Sequence, residues 1–364
     1  MKILEIVKYL NQIIPPSYQE NYDNCGLQIG DTSAEITGVL IAIDLTDSVV
    51  DEAIATRSNL IVTHHPFLFT GVKRIDADNP TGSIIYKLIG NGIAVYSAHT
   101  SLDKLKNGVS GMLAQRLGIT STKVLMPENG TLKQLVVYCP KAQSQDLKTA
   151  LYNAGAGNIG NYRHCSYSVD GTGTFEPLQG ASPFIGKVGN YTATAEERIE
   201  MVYPKMNENK IMSALLSSHP YEEPAFALLP MSNPNAELGL GIIGTLPQET
   251  DTRAFLEKVK KTTGIPVVRH SALCRGTVRT VALCGGAGAE FIGAAVAQNA
   301  DIYLTADLKY HDFQKANGQI VVADIGHYES EQFAKDFFHE KISEKFRIFA
   351  VRTAEAETNY VGYM

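Results

Sequence analysis

Short apolar runs alternate with amphipathic segments along both outer parts of the chain. The runs ITGVLIAIDLT (36–46) and LIVTHH (60–65) predict strands, and DSVVDEAIATR (47–57) between them has the mixed pattern of a helix. A helix at 82–92 and a strand at 93–99 continue the alternation. Because short apolar strands that alternate with helices favour βαβ units, these residues predict an α/β fold with a mainly parallel sheet.

The same alternation returns near the end of the chain. It predicts helices at 251–264, 289–299 and 329–346, and strands at 279–284, 301–307, 319–326 and 347–351. We therefore interpret the two outer parts of the chain as one α/β domain whose sequence is interrupted in the middle.

The middle of the chain contains two similar passages, at 132–155 and 197–220, and each places a strand before a helix. Such a twofold arrangement with an antiparallel sheet is the ferredoxin-like pattern. We therefore predict a discontinuous α/β host domain, 1–129 with 236–364, and an inserted ferredoxin-like α+β domain at 130–235. Turn-forming residues cluster at both proposed seams.

Composition narrows the possible partners. The chain has 364 residues, 44% of them apolar, and a formal net charge of −6. This charge balance leaves no basic excess to bind a phosphate backbone, so nucleic acid is not expected as a partner. The amphipathic N-terminus does not resemble a signal peptide, and no apolar run approaches the roughly 20 residues that cross a bilayer. The chain is therefore not expected to have membrane partners. Its five scattered cysteines without a C-x-x-C motif favour the reducing cytoplasm.

Metal-ligating side chains follow three of the predicted host strands. The carboxyl ends of parallel strands meet at one edge of a sheet, so these side chains could converge there. Imidazole and carboxylate groups together suit a divalent transition metal, with Zn, Fe and Mn left open. In chain order the residues are His64, His65, His99, Asp103, His327 and Glu331.

The adjacent pair His64 and His65 favours two metal ions over one. Neighbouring side chains on an extended backbone diverge, so each imidazole would serve a different ion while a carboxylate bridges the two. Ions about 3.5–4 Å apart can bind a hydroxide and polarise a substrate together. His327 and Glu331 lie one turn apart if the last helix begins near Gly326, and would then project from the same side.

Other interpretations stay open at this point. The histidine pair could be solvated and without a role. His311 follows a strand end, so it could support the site or transfer protons. The glycine cluster CGGAGAE (284–290) favours a tight turn, although its amides could also bind a phosphate.

The host resembles the NIF-three-like family, whose members are usually named GTP cyclohydrolase I type 2 homologues. This resemblance implies an α/β fold, a small-molecule substrate and a toroidal homohexamer. It also implies a dinuclear metal centre held by His64, His65, Asp103, His327 and Glu331, with His99 beside them. The segments that carry the resemblance are YDNCGLQIG (22–30), THHPFLF (63–69), SAHTSLD (97–103), CGGAG (284–288), ADLKYHD (306–312) and DIGHYESE (324–331).

The insert has a resemblance of its own. SSHPYEEPAFALLP (217–230) is similar to a segment of CutA-like cation-tolerance proteins, which are relatives of the PII signalling trimers. The resemblance implies a PII/CutA-like domain, a class of module that typically trimerises and senses small molecules or partners.

Two functions fit these features. The first is a dinuclear-metal-dependent hydrolase that acts through a metal-bound hydroxide on a small molecule such as a nucleotide. His99 or His311 would then be the catalytic residues that pass protons. The second is a metal-binding regulatory or scaffold protein, in which the PII-like insert senses a ligand or partner and no turnover occurs. GTP as the substrate rests on the family resemblance alone.

Overall fold

Parallel strands flanked by helices make up most of the chain outside its middle third. The structure is a computed structural model that describes residues 1–356 and 358–364. The chain divides into two compact units, the first formed by Met1–Met126 with Glu237–Met364 and the second by Pro127–Ala236.

The strands and helices have the following bounds. The strands are β1 (Gly26–Ile29), β2 (Gly38–Ala42), β3 (Leu60–Thr63), β4 (Ala94–Ser97), β5 (Thr120–Glu128), β6 (Leu132–Pro140), β7 (Tyr167–Phe175), β8 (Thr192–Pro204), β9 (Phe226–Pro230), β10 (Asn235–Asp251), β11 (Arg269–His270), β12 (Thr277–Ala287), β13 (Ile302–Ala306), β14 (Val321–Asp324) and β15 (Ala350–Thr353). The helices are α1 (Ile3–Ile13), α2 (Asp47–Ala55), α3 (Pro80–Gly90), α4 (Thr100–Asp103), α5 (Val109–Arg116), α6 (Ser144–Asn153), α7 (Glu208–Ser218), α8 (Thr252–Thr263), α9 (Ile292–Ala297), α10 (His327–Glu331) and α11 (Ala334–Lys345). Within the described residues, no helix has the length and apolar character needed to span a membrane.

The first sheet of the first unit has the strand order β1-β4-β3-β2-β15. Strands β4, β3, β2 and β15 are parallel, and β1 pairs antiparallel with β4 at the edge. Alternate residues of β2 and β3 pack against α1 and α11 on one face and against α2 and α3 on the other. Because both faces are covered, these strands are continuous apolar runs, and their polar residues lie at the strand ends.

The second sheet of this unit has the order β11-β14-β13-β12-β10-β5. Strands β12, β13 and β14 are parallel, whereas β10 and β11 pair antiparallel on either side of them. Helix α8 packs on one face and α9 on the other. The predicted mixture of strands and helices is confirmed, but it forms two sheets with antiparallel flanking strands rather than one mainly parallel sheet.

The second unit has the element order β6-α6-β7-β8-α7-β9. Its sheet has the order β7-β8-β6-β9, and neighbouring strands are antiparallel. One face of the sheet packs against α6 and α7 through a core that includes Leu147, Leu151, Ile211 and Leu215. The assignment of 130–235 to an inserted domain of a particular family stays a prediction at this point.

Two local predictions were wrong. The helix predicted at 329–346 is divided into α10 and α11, and at the break the side chain of Gln332 donates to the carbonyls of Thr263 and Glu329. The sequence pattern predicted no helix in the segment after β4, but this segment contains the short helix α4. Its first residue, Thr100, donates its backbone N–H to the Asp23 carboxylate, so a residue distant in sequence caps this turn.

Candidate metal centre

The carboxyl ends of strands from both sheets of the first unit meet at one cluster of imidazoles and carboxylates. His64 and His65 directly follow β3, and Asp103 ends the short helix after β4. His327 and Glu331 begin and end α10, which follows β14 of the other sheet. Backbone connections alone therefore bring residues from opposite ends of the chain to one place, as the strand-end argument predicts.

Glu331 lies at the middle of this cluster. Its Oε2 is 2.9 Å from His65 Nε2, 3.1 Å from His327 Nε2 and 3.7 Å from His64 Nε2. Two groups of possible metal ligands share this carboxylate, one with His65 and His327 and the other with His64 and Asp103, and within each group the ligand atoms lie within 4.8 Å of one another. The arrangement could hold metal ions on two sides of one carboxylate.

His64 and Asp103 provide a test of whether a cation fits. His64 is fully buried, and neither of its ring nitrogens nor Asp103 Oδ1 has a hydrogen-bond partner within the described residues. The distance from His64 Nε2 to Asp103 Oδ1 is 3.6 Å, too long for a hydrogen bond. Two ligands about 2.1 Å from one tetrahedral ion lie about 3.4 Å apart. Since unpaired buried polar atoms are costly, these residues fit a divalent metal ion.

Three carboxylates orient the histidines of the cluster. Asp44 Oδ1 lies 2.8 Å from His65 Nδ1, and Asp307 Oδ2 lies 2.7 Å from His327 Nδ1. A carboxylate on Nδ1 selects the tautomer whose Nε2 is free to bind a metal, and it makes that nitrogen more basic. Neither aspartate was predicted from the sequence to orient a histidine. The same strand-end rule could have found them, because Asp44 and Asp307 follow soon after β2 and β13.

Asp23 is the third orienting carboxylate. Its Oδ1 lies 3.0 Å from His99 Nδ1, and its Oδ2 accepts from the backbone N–H and the hydroxyl of Thr100. Burial opposes ionisation, but these hydrogen bonds outweigh it and hold the pKa of Asp23 well below its usual range. The carboxylate is therefore charged and fixes both the His99 ring and the start of α4. No periodic signal in the sequence marks this residue.

The glycine cluster makes room for the central carboxylate. Gly286 has φ of +64°, and a Cβ at this position would lie 2.1 Å from Glu331 Oε1. The amides of Gly285 and Gly286 already donate to the hydroxyls of Ser110 and Ser330. The cluster is therefore a tight turn beside the candidate metal centre, and these two amides have partners within the protein.

Two imidazoles of the cluster bind protons tightly when no metal competes. Burial alone would lower their pKa values, but hydrogen bonds and charge interactions with Asp44 and Glu331 raise the pKa of His65 to about 10. Asp307 and Glu331 likewise raise the pKa of His327 to about 11. The surrounding imidazoles keep the pKa of Glu331 below its usual value despite its burial. Without a metal ion, the protonated rings of His65 and His327 supply positive charge that balances the neighbouring carboxylates.

We expect metal binding to release protons at pH 7, because His65 and His327 must lose theirs to become ligands. Both groups are protonated below pKa values of about 10 and 11, so metal affinity should rise as the pH rises towards 10. Calorimetric titration of metal-free protein with Zn²⁺, in buffers with different ionisation enthalpies, would measure the protons released. An observed enthalpy that is the same in all buffers would contradict this expectation.

The two histidines predicted to be catalytic have different surroundings. The half-buried His99 ring lies 5.4 Å from the rings of both His64 and His65, and the three form a further group of possible ligands. His311 is exposed on the 3₁₀ helix Tyr310–Ala316 and contacts the ring of Tyr310. Among the described residues, His311 belongs to none of the possible ligand groups. The structure therefore gathers His99 with the five predicted ligands but not His311, and every predicted role stays a prediction.

Comparison with known proteins identifies the family of this chain. A sequence model of the family Duf34/NIF3 (NGG1p interacting factor 3) matches residues 1–360. The chain is 39% identical over 362 residues to a protein of Bacillus subtilis (strain 168) named GTP cyclohydrolase 1 type 2 homolog, covering 98% of this chain and 96% of that protein. A Mycobacterium leprae protein of the same name is 36% identical, covering 91% of this chain and 87% of that one.

Solved structures give the same result. The crystal structure of a Bacillus cereus protein related to NIF3 matches with a TM-score of 0.88 at 36% identity, covering 100% of this chain and 99% of that one. The Staphylococcus aureus protein SA1388 matches with a TM-score of 0.78 at 28% identity and the same coverage. The resemblance found in the sequence is confirmed, and the chain belongs to the Duf34/NIF3 family.

Proposed function

We propose that this chain is a dinuclear metal-dependent hydrolase that acts on a small molecule, with nucleotides as the first substrate class to test. The observation that carries the proposal is the position of Glu331 Oε2, which lies within 3.7 Å of three imidazole nitrogens in two ligand groups. A carboxylate shared in this way is the arrangement expected of a bridging ligand. The name of the curated relatives, GTP cyclohydrolase 1 type 2 homolog, makes GTP one candidate substrate.

Each ligand group would hold one ion. His65 and His327 would bind the first, His64 and Asp103 the second, and Glu331 both. Zn, Fe and Mn all accept such nitrogen and oxygen ligands. A bound pair of ions would supply Lewis-acid polarisation of the substrate and a water molecule of lowered pKa.

The protein residues around the centre support substrate binding from one side. The side chains of His65 and His327 are 22% and 34% exposed, whereas those of His64 and Glu331 are 0% and 3% exposed. A substrate would therefore approach over His65 and His327. His99 borders the centre, and with Nδ1 held by Asp23 it has Nε2 available to take or give a proton.

Exposed aromatic rings beside His99 support a substrate with a planar ring. The ring of Phe69 lies 6.1 Å from that of His99 and 6.3 Å from that of Tyr22. Phe69 is 46% exposed and Tyr22 65% exposed, so both have free surface that could contact a base. This feature favours nucleotides over aliphatic esters in the choice of substrates to test.

The test compares wild-type protein with the His64→Ala variant after metal analysis. Both would be loaded with Zn, Fe or Mn and incubated with nucleotides, phosphoesters and cyclic amides, and products would be followed by chromatography. We expect hydrolysis by wild-type protein, and at least about a hundredfold less by the variant, because losing a residue that only hydrogen-bonds to a metal ligand already costs about 10–100-fold. Equal activity of the metal-poor variant would refute the proposal.

A second candidate function follows from the second unit. We propose that residues 130–235 are an inserted ferredoxin-like domain of the PII/CutA type, supported by the β-α-β-β-α-β element order and the antiparallel sheet. With such a domain, the chain would be a metal-binding regulatory or scaffold protein. We propose that it acts in the cytoplasm, as its cysteine usage suggests, and as a homohexamer, as the family resemblance implies. Metal-loaded wild-type protein that hydrolyses none of the tested compounds would favour this function over the first.

A further inference from the structure

A cavity of about 960 Å³ lies within the second unit, away from the metal-ligand groups in sequence. Its walls come from β7, from residues 176–185 after that strand, from β8 and from residues 221–225. Cavities of 300–1,000 Å³ are the usual size of small-molecule sites. Nothing in the proposed hydrolase function uses this space.

The cavity opens on the face of the sheet that the helices leave uncovered. Along β8, Ile199 and Met201 pack into the core with α6 and α7, and Glu197 forms an ion pair with Lys148 of α6. Side chains alternate along a strand, so Glu196 and Arg198 project from the opposite face. Both line the cavity.

Glu196 is the central polar group of this wall. It is only 8% exposed, and its Oε1 accepts a hydrogen bond of 2.7 Å from the hydroxyl of Tyr221. Burial, together with this contact, raises the pKa of Tyr221, so the hydroxyl remains a donor. Within the described residues, Glu196 forms no ion pair. A buried carboxylate with a single neutral donor is costly and would be stabilised by a cation.

Glycines leave the space that the Glu196 carboxylate occupies. A Cβ on Gly173 would lie 2.2 Å from the carboxylate carbon of Glu196, so a larger residue would displace the carboxylate. A Cβ on Gly171 would meet nothing within 4 Å, and this glycine therefore borders open space in the cavity. The absence of side chains at these two positions leaves room for the carboxylate and for a ligand beside it.

The cavity wall combines negative charge with apolar surface. The basic residue of the wall, Arg198, pairs with Glu200 at 2.9 Å, so its charge is partly compensated. Four of the acidic residues that line the cavity form no ion pair within the described residues, namely Glu176, Glu196, Glu222 and Glu223, whereas Asp170 pairs with Lys141 at 2.6 Å. Phe175 and Phe184 contribute aromatic surface, and the ring of Phe175 lies 5.8 Å from that of Tyr221. The wall thus complements a ligand that has one positive group and an apolar body.

We propose that this cavity binds a small organic cation, a primary amine with an apolar or aromatic body, whose ammonium group pairs with Glu196. The ring or chain of the ligand would lie against Phe175 and Phe184. This inference names the ligand class for the sensing role proposed above for the second unit. It rests on the cavity alone, and its test measures binding rather than hydrolysis, so either proposal can fail without the other.

The test titrates full-length protein with phenethylamine, and with phenethyl alcohol and hydrocinnamate as neutral and anionic analogues of similar shape. Protein-observed NMR or calorimetry would give the affinities. We expect wild-type protein to bind the amine at least about tenfold more tightly than either analogue, because a charge-assisted hydrogen bond is lost in both. Saturable binding of the amine that the alcohol matches would overturn the proposal, as would no saturable binding of the amine.

Matched variants locate the site. Glu196→Gln keeps the shape and removes the charge, and it should weaken amine binding at least about tenfold. Asp146→Asn makes the same charge change on the exposed surface of α6 and should leave binding unchanged. Gly171→Leu fills the cavity at a position where the fold has room, and it should abolish binding. Wild-type affinity in both Glu196→Gln and Gly171→Leu would overturn the proposal, and so would a second copy of the chain that covers this face and excludes the amine.

Discussion

Replacing Glu331 with alanine should remove nearly all bound metal. The Glu331 carboxylate belongs to both ligand groups, so its loss leaves each with two ligands instead of three. Losing a residue that only hydrogen-bonds to a metal ligand already reduces metal affinity about 10–100-fold, and loss of a shared ligand should cost at least as much. We therefore expect metal content below about a tenth of the wild-type value, measured by elemental analysis of protein purified without chelator.

Two further variants make this result specific. His327→Ala removes a ligand from one group and should leave about half of the metal, held by His64, Asp103 and Glu331. Glu340→Ala deletes a glutamate whose side chain is 59% exposed and pairs with Lys341, and it should retain full metal content. If His327→Ala loses as much metal as Glu331→Ala, the carboxylate is not shared in the way that the geometry indicates.

Replacing Gly286 with alanine should disrupt the metal centre without touching a ligand. The backbone at this residue has φ of +64°, a conformation that costs about 1–2 kcal/mol for other residues. The new Cβ would also lie 2.1 Å from Glu331 Oε1, so the carboxylate must move. We expect both a lower free energy of unfolding, measured by urea titration of metal-free protein, and metal content reduced by at least half.

Gly293 provides the matched control. It lies in α9, is exposed, and an added Cβ would meet no atom within 4 Å. Gly293→Ala should therefore leave the free energy of unfolding unchanged or raise it by up to about 0.5 kcal/mol, because alanine favours a helix more than glycine does and this residue lies in the first turn. Its metal content should equal that of wild-type protein. Equal metal content in Gly286→Ala and Gly293→Ala would show that the turn does not position Glu331.

The approximate positions of the central strands and the residues of the candidate site could be predicted from the sequence. Strands buried on both faces are continuous apolar runs, so the polar residues at their ends are conspicuous. His64 and His65 after β3, and His327 after β14, follow this rule. Asp44 and Asp307 follow it as well, and they were missed because single aspartates after strands are common in turns.

Features that depend on contacts between distant residues could not be predicted. Helix α4 begins where the Asp23 carboxylate accepts from Thr100, and no local pattern reveals that contact. The division of the parallel strands between two sheets depends on which strands pair, and apolar periodicity does not specify pairing. Gly286 was predicted to lie in a turn. Its closeness to Glu331, a residue distant in sequence, is visible only in the folded structure.

The possible ligands come from two stretches of chain, residues 64–103 and residues 327–331, with the whole second unit between them in sequence. Ions bound by both stretches would hold the two ends of a very long loop together in the folded chain, and their binding free energy would add to its stability. The cost of loop closure grows only slowly with loop length. A change in the length of the intervening segment would therefore have little effect on the stability that bound ions add. That segment can vary in length while the two ligand stretches stay joined.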